Sequence, residues 1–274
     1  MANRAVGGLA AAAAGLACWG LFESQWLSTR TLEVPVEGLP PALDGLGVLH
    51  LSDFHAGAPA LNVRTLKLAV DFGVQCRPDL VAVTGDLVNH PRAVPVVARE
   101  LARLTPPLGM YAVTGNHDVG DTNDPLSHGT VVEDWRPSKL LLLRDSMVEV
   151  THGGVTIQVA GTDADMKTPR PAPETLFEGG DAFRILLAHY PDVAVDLPDG
   201  ACSLVLSGHL HGGQICLPGP GGKIKFGHAR GELDEGVFQR GGTTVVVSRG
   251  TGTTLLPFRV LARPEACLLR LRPR

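Results

Sequence analysis

The chain has no basic excess, no cysteine pair at metal or redox spacing, no internal repeat and no well-placed small-x-small site after Leu21, and each absence narrows what it can be. Twenty-four Lys and Arg against 28 Asp and Glu leave a net charge of -4, so nothing favours nucleic acid as a partner. Cys18, Cys76, Cys202, Cys216 and Cys267 are scattered, odd in number and without C-x-x-C. They offer neither a thiolate metal knuckle nor a disulfide framework. Cys202 and Cys267 lie in or beside apolar strands and are expected as buried thiols. No period of solenoid length recurs. What is present is 274 residues, 44% of them hydrophobic, enough for one large α/β core.

Five times in that core an apolar, β-rich run stops at Asp, His or Asn. Val48 to Ser52 leads into Asp53-Phe54-His55, Leu80 to Thr84 into Gly85-Asp86, and Met110 to Thr114 into Gly115-Asn116-His117-Asp118. Phe183 to Ala188 leads into His189, and Ser203 to Leu206 into Gly208-His209-Leu210-His211. Open α/β sheets carry their chemistry on loops at the carboxyl ends of strands. Each residue alone has a plain explanation: Asp86 as a helix cap, Asn116 as a turn residue, His189 as a core histidine, the two last histidines as an exposed turn. Five strand ends converging on the same ligand types point instead to a metal site. Gly85, Gly115 and Gly208 each precede a candidate ligand, where the chain has to turn sharply and bring backbone close.

In this order the motifs Asp53-x-His55, Gly85-Asp86, Gly115-Asn116-His117-Asp118, His189 and Gly208-His209-x-His211 resemble those of the calcineurin-like metallophosphoesterases. The resemblance runs over about residues 46 to 272. The phrase LHLSDFHAG, the run from Pro107 to Asp118, Gly212-Gly213-Gln214, Ser248 to Gly252 and a hydrophobic N-terminus are most similar to the family's bacterial membrane-associated phosphodiesterase branch.

That resemblance implies two divalent ions bridged by Asp86, with Asp53, His55 and His211 completing one and Asn116, His189 and His209 the other. It also implies a metal-bridging hydroxide as nucleophile, and His117 as the group that stabilises the transition state or protonates the leaving oxygen. Two such ions can clamp the attacking and leaving oxygens of an in-line displacement at phosphorus. Imidazole, carboxylate and amide oxygen without thiolate suit manganese, iron or zinc. Two +2 ions against Asp53, Asp86 and one hydroxide leave about +1 facing an anionic substrate. Asp118 reads equally as the partner that orients His117 or a ligand and as a loop cap. Many relatives carry an Asp three residues after the bridging one, where this chain has Asn89; the change bears on rate or metal preference more than on reaction class.

Organisation follows from patterning. Leu61 to Phe72 and Arg92 to Leu104 read as helices, the second burying Val94, Val97, Leu101 and Leu104 and tolerating Pro95 in its first turn. Val148 to Val150, Val155 to Val159, Thr243 to Val247 and Cys267 to Leu271 read as strands. Alternating βα units followed by strand-rich sequence fit a two-sheet α/β core, and the resemblance implies a four-layered α/β/β/α sandwich with an N-terminal hydrophobic helix. The expected division is an anchor over 1–30, a linker or first edge strand over 31–45, and a catalytic domain over 46–274.

Residues 5–22 are 18 without charge, about 27 Å as a helix, at the short limit for a bilayer span. An uncleaved signal-anchor, a cleaved signal and an interfacial helix compete. With no small-x-small site after Leu21, no Arg-Arg pair and a poor lipidation box at Gly15 to Cys18, the uncleaved anchor is the expectation. Trp19 and Trp26 would suit the interface, and Arg4 before the stretch gives a faint preference for an extracytoplasmic catalytic domain.

The glycine-rich segment 212–240, with Lys223, Lys225, His228, Arg230 and Arg240, reads as a flap over an anionic substrate or as a solvated loop. Arg249 is a candidate for holding a non-reacting phosphate, against the plainer reading of a surface arginine. His50, His90, His128, His152 and His228 fall outside the motifs and are expected to be structural or exposed. The functional expectation is a phosphoric ester hydrolase acting on a phosphodiester or pyrophosphate that is membrane-associated or nucleotide-linked. UDP-2,3-diacylglucosamine hydrolysis in lipid A synthesis is an analogous alternative. A metal-binding scaffold without turnover and a two-metal amide hydrolase are the readings from other classes.

Overall fold

The computed structural model describes residues 2–57, 61–129, 131–219, 222–227 and 233–274. Helix α1 (Ala2–Ser24) precedes strand β1 (Ser28–Val36) and β2 (Gly47–Leu51). Two βα units follow: α2 (Asn62–Cys76), β3 (Leu80–Thr84), α3 (Val94–Leu101) and β4 (Met110–Val113). Then come β5 (Leu140–Leu142), β6 (Ser146–His152), β7 (Val155–Gly161), β8 (Phe183–Leu187), the one-turn α4 (Val193–Asp196) and β9 (Leu204–Ser207). Strands β10 (Cys216–Gly219), β11 (Gly222–Lys225), β12 (Gly236–Arg240), β13 (Thr243–Val247) and β14 (Glu265–Pro273) complete the chain.

Two six-stranded sheets result, ordered β1-β14-β2-β3-β4-β5 and β12-β13-β9-β8-β7-β6, beside a small β10-β11 hairpin. Strands β2 to β5 are mutually parallel, as are β7, β8, β9 and β13. Parallel strands covered on both faces read as unbroken apolar runs because alternate residues enter different cores. Val48, Leu80 and Ala82 enter the layer between the sheets, meeting Ile157, Ile185 and Leu206 of the second sheet. Their neighbours Leu49, Val81 and Val83 face outward to Leu66, Val70, Val97 and Leu101 of α2 and α3. The outer face of the second sheet is covered more thinly, by α4, Leu197 and a 3₁₀ turn at Pro173–Leu176, with Val193, Leu176 and Leu197 against Leu186, Val205 and Val245.

Three expectations shift in detail. The second helix begins as a 3₁₀ turn at Pro91–Ala93, and Leu104 is buried beyond its end. The first edge strand starts at Ser28, inside the stretch assigned to the anchor, and runs parallel to β14 from Ser28↔Glu265 to Val36↔Pro273. The membrane-spanning anchor is corrected: α1 forms, but among the described residues no helix is long and apolar enough to cross a membrane. Alanine and glycine contribute little apolar surface per residue, and the last turn of α1 is docked on protein. Glu23 is 2% exposed and accepts the Ala262 N–H at 2.9 Å, while the Gly20 carbonyl accepts the Arg259 N–H at 3.0 Å. Trp19 donates to Glu23 at 2.8 Å, and the Arg263 guanidinium lies 3.8 Å over the Trp26 ring.

Candidate metal centre

Asp53 follows β2, Asp86 follows β3 and Asn116 to Asp118 follow β4, all from the first sheet; His189 follows β8 and His209 to His211 follow β9, from the second. The carboxyl ends of both sheets meet at one place, so side chains up to 158 positions apart converge (211 − 53). Asp53, His55 and His211 form one group of ligand atoms within 4.8 Å of one another, Asp53, Asp86 and His189 a second, and His55, Asp86 and His117 a third. Asp86 Oδ2 lies between the two halves, 3.4 Å from His55 Nε2 and 3.3 Å from His189 Nε2. On one side His211 Nε2 is 3.1 Å from His55 Nε2 and 3.5 Å from Asp53 Oδ1. On the other, His189 Nε2 is 3.0 Å from Asn116 Oδ1 and 3.1 Å from His209 Nδ1. All seven candidate ligands therefore lie in one cluster, buried except for the half-buried His209.

The backbone is bent to achieve this. Asp53, His55, Asp86, His209 and His211 all have left-handed φ values between 44° and 73°, a conformation that costs a non-glycine residue free energy and collects at functional sites. Gly115 supplies room at the closest approach: a Cβ there would stand 2.6 Å from Asp86 Cγ. The loops are then tied together. Asp118 accepts the backbone N–H groups of Gly115 at 2.8 Å, Leu87 at 3.0 Å and Val88 at 3.3 Å. Its carboxylate thus clamps the Asp86 loop to the Asn116 loop, the capping arrangement among the two readings of this residue. Asn89 Oδ1 accepts from His55 Nδ1 at 2.8 Å, so the amide that replaces the more usual Asp still fixes the ring of a candidate ligand.

His117 stands edge-on to His55 with ring centroids 4.5 Å apart. Its backbone N–H donates to Asp86 Oδ1 at 2.9 Å, its Nε2 lies 3.2 Å from Thr122 Oγ1 and 3.3 Å from Thr254 Oγ1, and its buried Nδ1 has no hydrogen-bond partner. Arg249 reaches the same neighbourhood, but its guanidinium is held by Glu265 at 2.7 Å and 3.1 Å. Of the expected flap, Lys223 and Lys225 pair with Glu235 and Asp234, while His228 and Arg230 lie outside the described residues.

Several neighbours carried no signal in the sequence. Arg259 is fully buried, with Nε, Nη1 and Nη2 donating to the carbonyls of Gly252, Ala262 and Arg249 at 3.0, 2.8 and 2.8 Å. Burial lowers its pKa to about 10, so it stays cationic at neutral pH. Thr254 joins Asp124 to His117. Asn62 joins the His55 carbonyl to Thr253. An arginine between apolar residues, or a threonine in a loop, looks ordinary until the fold brings these partners together.

The electrostatics suit a cation. Burial raises the Asp53 carboxyl to about 6, with the Asp86 charge adding to the effect, and burial lowers His55 to about 3. Burial also works against ionised Asp86, yet the His189 and His55 imidazoles outweigh it and hold that carboxyl well below its ordinary range. Without an ion, two buried carboxylates compete for protons with imidazoles whose Nε2 atoms face one another. Two carboxylates, an amide oxygen and the inward-facing Nε2 atoms of His55, His189 and His211 form a donor set that a divalent cation would satisfy.

A family model described as calcineurin-like phosphoesterase matches residues 46–213. The chain is 32% identical over 264 residues to the uncharacterized metallophosphoesterase YkuE of Bacillus subtilis (strain 168), covering 92% of this chain and 87% of that protein. It is 26% identical over 234 residues to phosphodiesterase YaeI of Escherichia coli (strain K12), covering 82% and 81% respectively. A Danio rerio protein named transmembrane protein with metallophosphoesterase domain is 31% identical over 269 residues, with 91% of this chain and 59% of that protein covered.

Proposed function

The chain belongs to the calcineurin-like phosphoesterase family and is a metal-dependent phosphoesterase; on that premise we propose that it hydrolyses phosphodiester or pyrophosphate bonds at the Asp86 centre. The observation that carries the reading is the position of Asp86 Oδ2 between His55 and His189, with Asp53 and His211 on one side and Asn116 and His209 on the other. Asp53, His55, Asp86 and His211 would hold one divalent ion and Asp86, Asn116, His189 and His209 the second. When bound, such a pair supplies Lewis-acid polarisation of phosphoryl oxygens and an acidified water.

The protein's own residues do the rest. Asp86 takes its charge from both halves and fixes their separation, while Asp118 keeps the two loops from drifting apart. His117 has one ring nitrogen among the hydroxyls of Thr122 and Thr254, which leaves Nδ1 to meet the leaving oxygen and deliver its proton. The relative YaeI is a phosphodiesterase by name, which supports diesters as the substrate class. So does the lack, among the described residues, of an uncommitted guanidinium against the cluster: Arg249 is paired with Glu265, and the Arg259 donors are taken up by carbonyls. A monoester dianion would want such a cation, whereas a diester monoanion does not.

The test is hydrolysis of bis-p-nitrophenyl phosphate and p-nitrophenyl phosphate by purified protein with added manganese, iron or zinc. Turnover of the diester is expected to exceed that of the monoester. Asp86→Asn should abolish activity together with one equivalent of bound metal, and His117→Ala should lower kcat by about 10² to 10⁴-fold with metal content unchanged. Equal rates on the two esters would overturn the diester assignment. Full activity in Asp86→Asn would overturn the centre itself.

A further inference from the structure

One strand further along the second sheet, at the same carboxyl ends that carry His189 and His209, lies a cavity of about 670 Å³. Thr162 at the end of β7 and Tyr190 after β8 form its floor. Tyr190 is shared with the metal centre, its ring centroid 4.7 Å from that of His209 and 5.3 Å from that of His189. Met166, Pro171, Pro173 and Leu197 give the walls apolar surface between charged side chains. Met166 is 62% exposed, a large apolar side chain held at an opening rather than in a core. The loop that carries it is tethered to the Asn116 loop, because Thr114 Oγ1 donates to Asp163 Oδ1 at 2.6 Å and Lys167 pairs with Asp121 at 3.7 Å. The cavity is thus held in register with the ligand cluster.

Its polar content identifies what it takes. Arg170 is the one cation among the lining residues; its Nη2 contacts Met166 Sδ at 3.1 Å, and its Nη1 is buried without a hydrogen-bond partner. That N–H is closed to solvent and so does not open into the cavity. A second phosphate is disfavoured there, since four carboxylates line the same cavity (Asp145, Glu174, Asp192 and Asp196) and would repel it. The size is that of a small-molecule site, and the wall chemistry is that of an uncharged organic group.

Building on the phosphodiester reading, we propose that this cavity binds one ester arm of the substrate: an uncharged, largely apolar group that lies against Met166 and Leu197 while its phosphate lies at the Asp86 centre. The substrate class is then an amphiphilic phosphodiester with a neutral arm rather than one with a second anionic arm.

The experiment uses metal-loaded full-length protein and the series methyl-, butyl- and octylphosphonate, followed by calorimetric binding and by inhibition of diester hydrolysis. A fully buried methylene is worth about fourfold in affinity, so butylphosphonate is expected to bind at least about tenfold tighter than methylphosphonate. Met166→Glu, at an exposed position that leaves folding intact, and Leu197→Trp, which fills the cavity, should each erase that gain while methylphosphonate binds as before. Affinity independent of chain length in the wild type, or a chain-length gain that survives in both variants, overturns the proposal and leaves the metal-centre reading standing. If octylphosphonate binds in a Met166-dependent way but methylphosphonate neither binds nor inhibits, the cavity stands and the phosphate assignment to the Asp86 centre falls. If no phosphonate binds, both fall.

Discussion

Arg259 Nη2 lies 3.1 Å from His211 Nδ1, and because a guanidinium has hydrogens and no lone pair to offer, the imidazole nitrogen is the acceptor. Neutral His211 therefore carries its proton on Nε2, which faces His55 Nε2 at 3.1 Å. His55 in turn donates from Nδ1 to Asn89 Oδ1 at 2.8 Å. Arg259, His211, His55 and Asn89 form one directed chain in which every imidazole has a defined tautomer. Coordination through Nε2 needs the one proton of neutral His211 on Nδ1, so a cation entering between the two Nε2 atoms would shift that proton across the ring and break this chain without net proton release.

Arg259→Lys tests that chain. Lysine retains the charge but not the planar fork, so it cannot reach His211 and the carbonyls of Gly252, Arg249 and Ala262 together. The expected result is a metal affinity about 10 to 100-fold weaker, measured by manganese titration calorimetry. Arg259→Met should in addition lower stability by several kcal/mol, since each buried carbonyl left without a donor costs about 1 to 3 kcal/mol. Unchanged affinity in Arg259→Lys would mean that the arginine only holds the loops.

A second test concerns space rather than charge. A Cβ at Gly115 would stand 2.6 Å from Asp86 Cγ, and the adjacent Asp86 backbone has no room to retreat. Gly115→Ala is expected to push the bridging carboxylate away from His55 and His189. The cost should be about 1 to 3 kcal/mol of stability and about 10²-fold or more in kcat. Gly179→Ala, at an open position with nothing within 4 Å of the added carbon and without left-handed φ, is the control and should behave as wild type in both melting and turnover assays.

The clustering of the candidate ligands is legible in the sequence because each member follows an apolar run, and a parallel strand buried on both faces has to be such a run. Gly115 and Gly208 were legible for the same reason, as the residues that let one ligand loop approach another. The left-handed backbone at Asp53, His55, Asp86, His209 and His211 was not, since nothing in an aspartate or histidine announces a strained φ. Strand β1 was half legible: Leu32 to Val36 alternates, but its partner β14 lies more than 230 residues away, and no local pattern reports so distant a pairing. The apolar stretch alone does not report its ending, where buried Glu23 accepts the Ala262 N–H, and among the described residues no helix is long and apolar enough to cross a membrane. Arg259 was invisible because its partners are carbonyls, which every residue has.

His50 provides the pH test. It lies on the face of β2 that enters the core between the sheets, fully buried, with Nε2 3.0 Å from Thr84 Oγ1 and Nδ1 without a partner. Thr84 donates onward to Ser52 at 2.8 Å and Ser52 to Asp53 Oδ2 at 2.5 Å, so His50 supplies the first proton of a relay that ends on a candidate ligand. Burial lowers its pKa from 6.5 to about 3. The unfolded chain thus binds a proton near pH 6.5 that the folded protein refuses until about pH 3, and stability falls as pH drops through that window, by up to about 1.4 kcal/mol per unit. In His50→Gln this contribution is absent, since the amide does not titrate but can still donate to Thr84. Urea unfolding of the metal-free proteins between pH 6.5 and pH 4 should give a shallower decline for the variant, by about one proton's slope, even though its stability at pH 7 is lower. Parallel declines would show that His50 titrates alike in the folded and unfolded chain, and would overturn burial as the barrier to its charge.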